Sequence, residues 1–173
     1  MPKLHPLALL ACSFLLISSS ADAQIHHRVG LGFHYWKALE DVDFEDIDED
    51  GLGWLISYKL ATSSMLKFQM DLEVMPRGYG GSDHRVVAPL GYVLAGSGIY
   101  AALGLGIHYT DGDFADKPFF ALRTGLDFEL LPSIFTDVNI NYRFETWDFD
   151  EVRDKISTDT VTLGAVVRFQ FPQ

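Results

Sequence analysis

The densest group of residues able to do chemistry lies in LEDVDFEDIDEDG, positions 39 to 51. Asp46, Asp48, Asp50 and Gly51 follow D-x-D-x-D-G, the first half of an EF-hand loop, in which alternate carboxylates converge on Ca²⁺ and glycine permits the sharp turn. The bidentate glutamate of such loops belongs at the twelfth position, where this chain has Ser57. Residues from Gly51 onward also alternate as a strand does. The expectation is a solvated acidic loop, with Asp46, Asp48 and Asp50 as the candidate Ca²⁺ ligands.

Hydrolytic chemistry would need a serine within reach of a histidine held by an acid. The serines cluster in turn segments, and His26, His34 and His108 fall on polar strand faces beside charged residues, with His27 on an apolar face. These histidines read as members of a polar network, so no catalytic residue and no cofactor is assigned. PRGYGGSDHR, 76–85, has three glycines and a tyrosine and reads as a surface-contact loop. No helix follows it, so a phosphate cradle is not expected.

The other titratable residues recur at every second position, which fixes the elements that must carry them. In MLKFQMDLEVM, 65–75, Leu66, Phe68, Met70, Leu72 and Val74 share one face, and Lys67, Gln69, Asp71 and Glu73 share the other. A helix would mix the two sets; a strand separates them. Seven more segments repeat the split. Val29, Leu31, Phe33 and Tyr35 oppose Arg28 and His34. Leu52, Trp54, Ile56 and Tyr58 oppose Ser57 and Lys59. Val86, Ala88, Leu90, Tyr92 and Leu94 oppose Arg85, Pro89 and Gly91. Ile99, Ala101, Leu103 and Leu105 oppose Ala102, Gly104 and Gly106. Phe120, Leu122, Leu126 and Phe128 oppose Arg123, Asp127 and Glu129. Val138, Ile140, Tyr142 and Phe144 oppose Asp137, Asn139, Asn141, Arg143 and Glu145. Val161, Leu163, Val167, Phe169 and Phe171 oppose Thr162, Gly164, Arg168 and Gln170. Long connections at about 39–51, 76–84, 110–118 and 148–158 alternate with short ones at 61–64, 95–98 and 131–134, so the long ones share one end.

Volume and charge decide which face points outward. The interior of an eight-stranded barrel is only just wide enough for side chains to fill it, so it cannot take the large apolar set. No Asp, Glu, Lys or Arg interrupts that set, as expected where a charge would face lipid at a cost of about 2–4 kcal/mol for Arg or Lys near the midplane. The polar face is close to charge balance, which suits an enclosed ion-pair network. Its expected members are Arg28, Lys59, Lys67, Asp71, Glu73, Arg123, Asp127, Glu129, Arg143, Glu145 and Arg168, with Arg85 and Asp137 on the same side of their strands. Tyr35, Tyr109, Phe119, Phe144 and Trp147 mark one aromatic girdle, and Tyr58, Phe128, Phe169 and Phe171 the other. Pro89 forfeits a ladder bond in a closed sheet and predicts a local irregularity.

The chain has 173 residues and a net charge of −11, which argues against a nucleic-acid partner. Lys3, the apolar run from Leu7 to Ile17 and Ala21-Asp22-Ala23 read as a secretory signal peptide, 1–23, cleaved before Gln24. Cys12, in LLAC, resembles a lipoprotein box, but cutting there would leave too short an apolar core. After the Ala23 cut the chain, 24–173, has no cysteine and hence no disulfide.

The closing segment VTLGAVVRFQF, Val161 to Phe171, resembles the C-terminal assembly signal of the small eight-stranded bacterial outer-membrane β-barrels, the OmpA/OmpX-like and opacity-protein-like family, with Phe169 and Phe171 as its aromatic end. Pro172 and Gln173 trail it, whereas the family usually stops at the aromatic. The resemblance spans the whole of 24–173. It implies an all-β, eight-stranded antiparallel up-and-down transmembrane β-barrel, exported by its cleavable signal peptide, in contact with outer-membrane lipid, lipopolysaccharide and the barrel-assembly machinery. The expected function is non-enzymatic: an envelope-structural or surface-interaction role through acidic extracellular loops, with a polar lumen filled by side chains and no periplasmic domain following it. Two alternatives are a secreted, soluble lipocalin-like barrel binding an apolar ligand, and a lipid A-modifying barrel enzyme.

Overall fold

The computed structural model describes residues 25–39, 50–62, 65–79, 82–144, 146–147, 156–157 and 159–172. The expected signal peptide, the candidate ligands Asp46 and Asp48, and Glu145 lie outside them. Eight long strands make the wall: β1 (Ile25–Ala38), β2 (Asp50–Thr62), β3 (Leu66–Met75), β4 (Val86–Ser97), β5 (Ile99–Gly106), β6 (Phe119–Leu131), β7 (Ile134–Phe144) and β8 (Thr160–Gln170). Each pairs antiparallel with its neighbours in sequence, and β1 also pairs with β8, setting Val29 against Phe169 and Tyr35 against Leu163. The sheet therefore closes on itself and leaves no free long edge. Two short ribbons, 109–110 with 113–114 and 146–147 with 156–157, extend the long connections.

Tight turns hold the other end. Ser97 pairs with Ile99 across Gly98, whose φ is +82°, and Gly96 has φ +124°. L side chains rarely adopt either value, so this turn needs its glycines. Ser133, at φ +65°, serves the β6–β7 turn. A register shift between Glu129 and Leu131 loosens β6 just before that turn.

Alternation of the side chains sorts the wall into two faces. Leu103 is 68% exposed on the outside, whereas Arg123 on the next strand is 2% exposed inside. The outer face carries Leu31, Trp54, Ile56, Phe120, Ile140 and Val167, all exposed. Buried on the inner face are Lys59, Asp71, Glu73, Arg123, Arg143 and Arg168. This is the inside-out arrangement of a membrane barrel rather than the apolar interior of a soluble one.

β4 departs from expectation. Val86, Ala88, Leu90, Tyr92 and Leu94 point inward and are buried, while Pro89, Gly91, Val93 and Ala95 face out. Pairing of Met70 with Gly91 and of Leu72 with Pro89 sets that register. The reason is complementary size: β5 turns Gly104 and Gly106 inward beside the large β4 side chains. A Cβ on Gly104 would lie 2.4 Å from the Tyr92 ring, and one on Gly106 would lie 2.5 Å from Phe119 and 2.8 Å from Leu90. Arg85 is exposed in the loop before β4 instead of facing the lumen. Phe119, expected in the outer girdle, is likewise buried inside. Opposite Pro89 the β4–β5 ladder stops at Gly106; Ile107 still donates to the Pro89 carbonyl at 3.3 Å, but proline has no N–H to return the bond.

Candidate functional site: the closed lumen

The inward side chains stack in layers along the barrel. Nearest the short turns, Asp127 accepts from Lys59 Nζ at 2.8 Å and Arg28 Nη1 at 3.2 Å. The Arg28 guanidinium lies 3.3 Å from the centre of the Phe135 ring, and its Nε donates to Gln170 at 2.9 Å. Asp137, one strand away, accepts from Arg168 Nη1 at 3.0 Å and from the Tyr100 hydroxyl at 2.9 Å, with Lys59 Nζ at 3.7 Å.

The middle layer centres on Arg123. Its Nη1 donates to Asp71 at 2.8 Å, its Nη2 to the Tyr92 hydroxyl at 3.0 Å, and its Nε to Asn141. Asp71 also accepts from Ser57 Oγ at 2.6 Å and from Gln69. Asn141 in turn donates to Asn139 at 3.0 Å and to Thr162 at 2.8 Å. One side chain thus joins β3, β4, β6 and β7 across the barrel, and neutral amides carry the network to β8.

Toward the long loops, Glu73 accepts from Arg143 Nη2 at 2.6 Å, and His34 Nδ1 lies 2.9 Å from its other oxygen. Gly164 makes room for His34: a Cβ there would sit 2.2 Å from the imidazole. Above this layer the lumen turns aromatic. Tyr79 reaches in from the 76–85 loop, is 1% exposed, and meets Trp36 edge-on at 4.7 Å between ring centres. His108 stands 5.7 Å from Tyr79 and stacks on Phe119 at 4.5 Å, with Met75 and Val86 packed beside Trp36 and Tyr79.

Each buried ion would be costly alone, and each here has partners that offset much of that cost. The arrangement fills and cross-braces the barrel. The apolar patches of β4, β5 and β6 (Leu90, Leu94, Ala102 and Ala121 among them) form the remaining wall of the lumen.

Of the expected network, the structure brings together Arg28, Lys59, Asp71, Glu73, Arg123, Asp127, Arg143 and Arg168. Two members fall elsewhere. Lys67 Nζ donates to the Gly96 carbonyl at 3.0 Å, holding the β4–β5 turn. Glu129 is exposed and accepts from the Ser133 backbone at 2.9 Å, capping the β6–β7 turn. Both stand at the short-turn mouth, where backbone groups and water compete with ion pairing. Tyr92 and Tyr100 entered the network unforeseen; their hydroxyls needed inward-facing acids and amides that only the register reveals. Asp50, the described member of the candidate Ca²⁺ loop, is exposed and takes the Tyr35 hydroxyl at 2.5 Å, which occupies one of its oxygens. Phe169 and Phe171 face outward, ring centres 5.5 Å apart, and Phe171 N–H donates to the His27 carbonyl at 3.0 Å.

This closed sheet has solved counterparts. The crystal structure of Neisserial surface protein A aligns with a TM-score of 0.54 at 14% identity, over 87% of this chain and 100% of that one. The outer membrane protein AlkL, solved by solid-state NMR in DMPC lipid bilayers, aligns with a TM-score of 0.56 at 14% identity, over 100% of this chain and 98% of that one. The chain has the fold of the small outer-membrane β-barrels. No protein-family model and no curated protein matches the sequence of this outer-membrane-type barrel.

Proposed function

We propose that this protein is a non-enzymatic integral outer-membrane barrel, exported by residues 1–23, which are then removed, and inserted through an assembly signal ending in Phe169 and Phe171. The long connections would then lie outside the cell and the short turns in the periplasm. One observation carries the reading: among the described strand residues the outer wall is apolar except at its long-loop rim, where Lys37 and Asp50 stand, and it encloses a lumen that holds the other ions. In water that wall would be a very large exposed apolar surface, far beyond what soluble monomers tolerate; in hydrocarbon it is the solvated state. A lipocalin-like protein would need the opposite faces.

The same geometry supports a structural or surface-interaction role over transport. Arg123, Arg143, Tyr92 and Tyr79 occupy the axis where a solute would pass. The acidic 39–51 connection, with its candidate Ca²⁺ ligands Asp46, Asp48 and Asp50, would meet lipopolysaccharide at the surface, where divalent ions offset charge on both sides.

Gel migration tests the reading. Protein extracted from outer membranes with detergent should migrate differently before and after boiling, because the closed barrel resists unfolding in cold detergent. Recovery as a soluble periplasmic protein without detergent would overturn it. Lipid A mass spectra unchanged by expression of the protein are expected; a new lipid A species would favour the enzyme reading.

A further inference from the structure

We propose that the outer wall carries a seat for one phospholipid of the periplasmic leaflet, with the acyl chain in a trough across β2–β5 and the phosphate at His27 and Tyr58. The inference rests on the membrane reading above and adds a specific ligand to it.

The trough follows from the inverted strand. β4 sends its large side chains inward, so along the middle of the strand, before Val93, it shows only Pro89 and Gly91 to the lipid. A Cβ added at Gly91 would meet nothing within 4 Å. The result is a groove of about 710 Å³ along a row of paired residues, Tyr58, Met70, Gly91 and Leu105, continuing to Pro118. Strand register gives the row its slope. Tyr58 stands four residues from the end of β2 at Thr62, whereas Leu105 stands six from the start of β5 at Ile99. The row therefore begins low, near the short turns, and climbs toward the long loops.

Chemistry at the low end selects the headgroup. His27 and Tyr58 are exposed on the outer wall, and His27 Nδ1 lies 2.7 Å from the Tyr58 hydroxyl. With the hydroxyl donating to Nδ1, the imidazole keeps its proton on Nε2 and presents that N–H outward. A phosphodiester oxygen of a periplasmic-leaflet lipid is an acceptor for that N–H, and because Tyr58 also lines the trough, a chain attached to that head can enter it. An apolar groove alone would accept any hydrocarbon; a polar pair at its periplasmic end calls for a lipid whose head lies on that side.

The test uses full-length exported protein reconstituted in vesicles of phosphatidylethanolamine and phosphatidylglycerol, extracted into mild detergent and examined by native mass spectrometry. One phospholipid should stay bound per wild-type chain. Gly91→Phe fills the trough and should abolish retention. His27→Ala combined with Tyr58→Phe removes the headgroup contacts and should weaken retention roughly tenfold. Heat-modifiable migration of each variant reports folding separately. Wild-type protein that is heat-modifiable yet holds no phospholipid, or Gly91→Phe and the His27/Tyr58 variant both retaining as much as wild type, would overturn the seat and leave the membrane reading intact. Lipopolysaccharide in the mass spectrum in place of phospholipid, or a dimer lost on Gly91→Phe, would assign the trough to another occupant and overturn it equally.

Discussion

Arg123 shows how a single side chain can be both expensive and indispensable. It is buried with Asp71, and its other nitrogens are taken by Tyr92 and Asn141. Truncating it leaves Asp71 with Ser57 and Gln69 but no cation, a situation that costs about 3–5 kcal/mol for a buried pair broken on one side. Arg123→Met should therefore lower stability by that amount in urea unfolding of the reconstituted barrel. The paired change Arg123→Met with Asp71→Leu should recover much of the loss, since apolar groups of similar volume can replace a buried ion pair. A single variant as stable as wild type would mean that water already solvates this layer. Lys67 and Glu129 differ because their partners are backbone groups at turns; Lys67→Ala should cost far less, within about 1 kcal/mol, the net worth of one hydrogen bond.

At the scale of strands, the outer face sets the tolerance to charge. Leu103→Arg on β5 should destabilise the barrel by about 2–4 kcal/mol in lipid, whereas Asp116→Arg in an exposed loop should leave unfolding nearly unchanged. β4 permits a sharper test of register. In variants without other tryptophans, Gly91→Trp should be quenched by phospholipids brominated along the acyl chain and Leu90→Trp should not; the reverse pattern would restore the orientation expected from sequence. Six strands were legible because, away from the long-loop rim, their charged or amide residues fall on one face, and β5 because Leu103 and Leu105 alternate with Gly104 and Gly106, so period two names the inner side. β4 has no such marker. Both of its faces are apolar between Val86 and Ala95, and bulk alone suggested that Leu90 and Tyr92 faced outward. The deciding information sits on the next strand, in Gly104 and Gly106, and becomes visible only once register is known. The same gap hid Phe119, whose neighbours Phe120 and Leu122 signalled the outer face of β6 correctly while its own position, at the strand's first residue, looked like a girdle.

For the whole molecule, the layers predict a barrel that is closed several times over. Tyr79 and Trp36 plug the long-loop mouth, the Glu73–Arg143 pair lies beneath them, and Arg123 and then Arg168 follow. Tyr79→Ala with Trp36→Ala should remove the aromatic plug yet leave liposomes unswollen in small sugars, because the ionic layers remain. Swelling in that variant would show that the plug alone closes the lumen. The sequence already carried the polarity of this plan in its charge balance, but the aromatic plug depends on a loop tyrosine folding inward, which no periodicity encodes.

Two tryptophans report the orientation of the wall from its opposite sides. Trp54 is 65% exposed on the outer face and Trp36 is fully buried inside. Single-tryptophan variants, with the remaining tryptophans changed to phenylalanine, can be reconstituted in bilayers of phospholipids brominated along the acyl chain. Fluorescence of the Trp54 variant should be strongly quenched and that of the Trp36 variant nearly unaffected. Strong quenching of Trp36, with Trp54 instead open to a water-soluble quencher, would contradict the account.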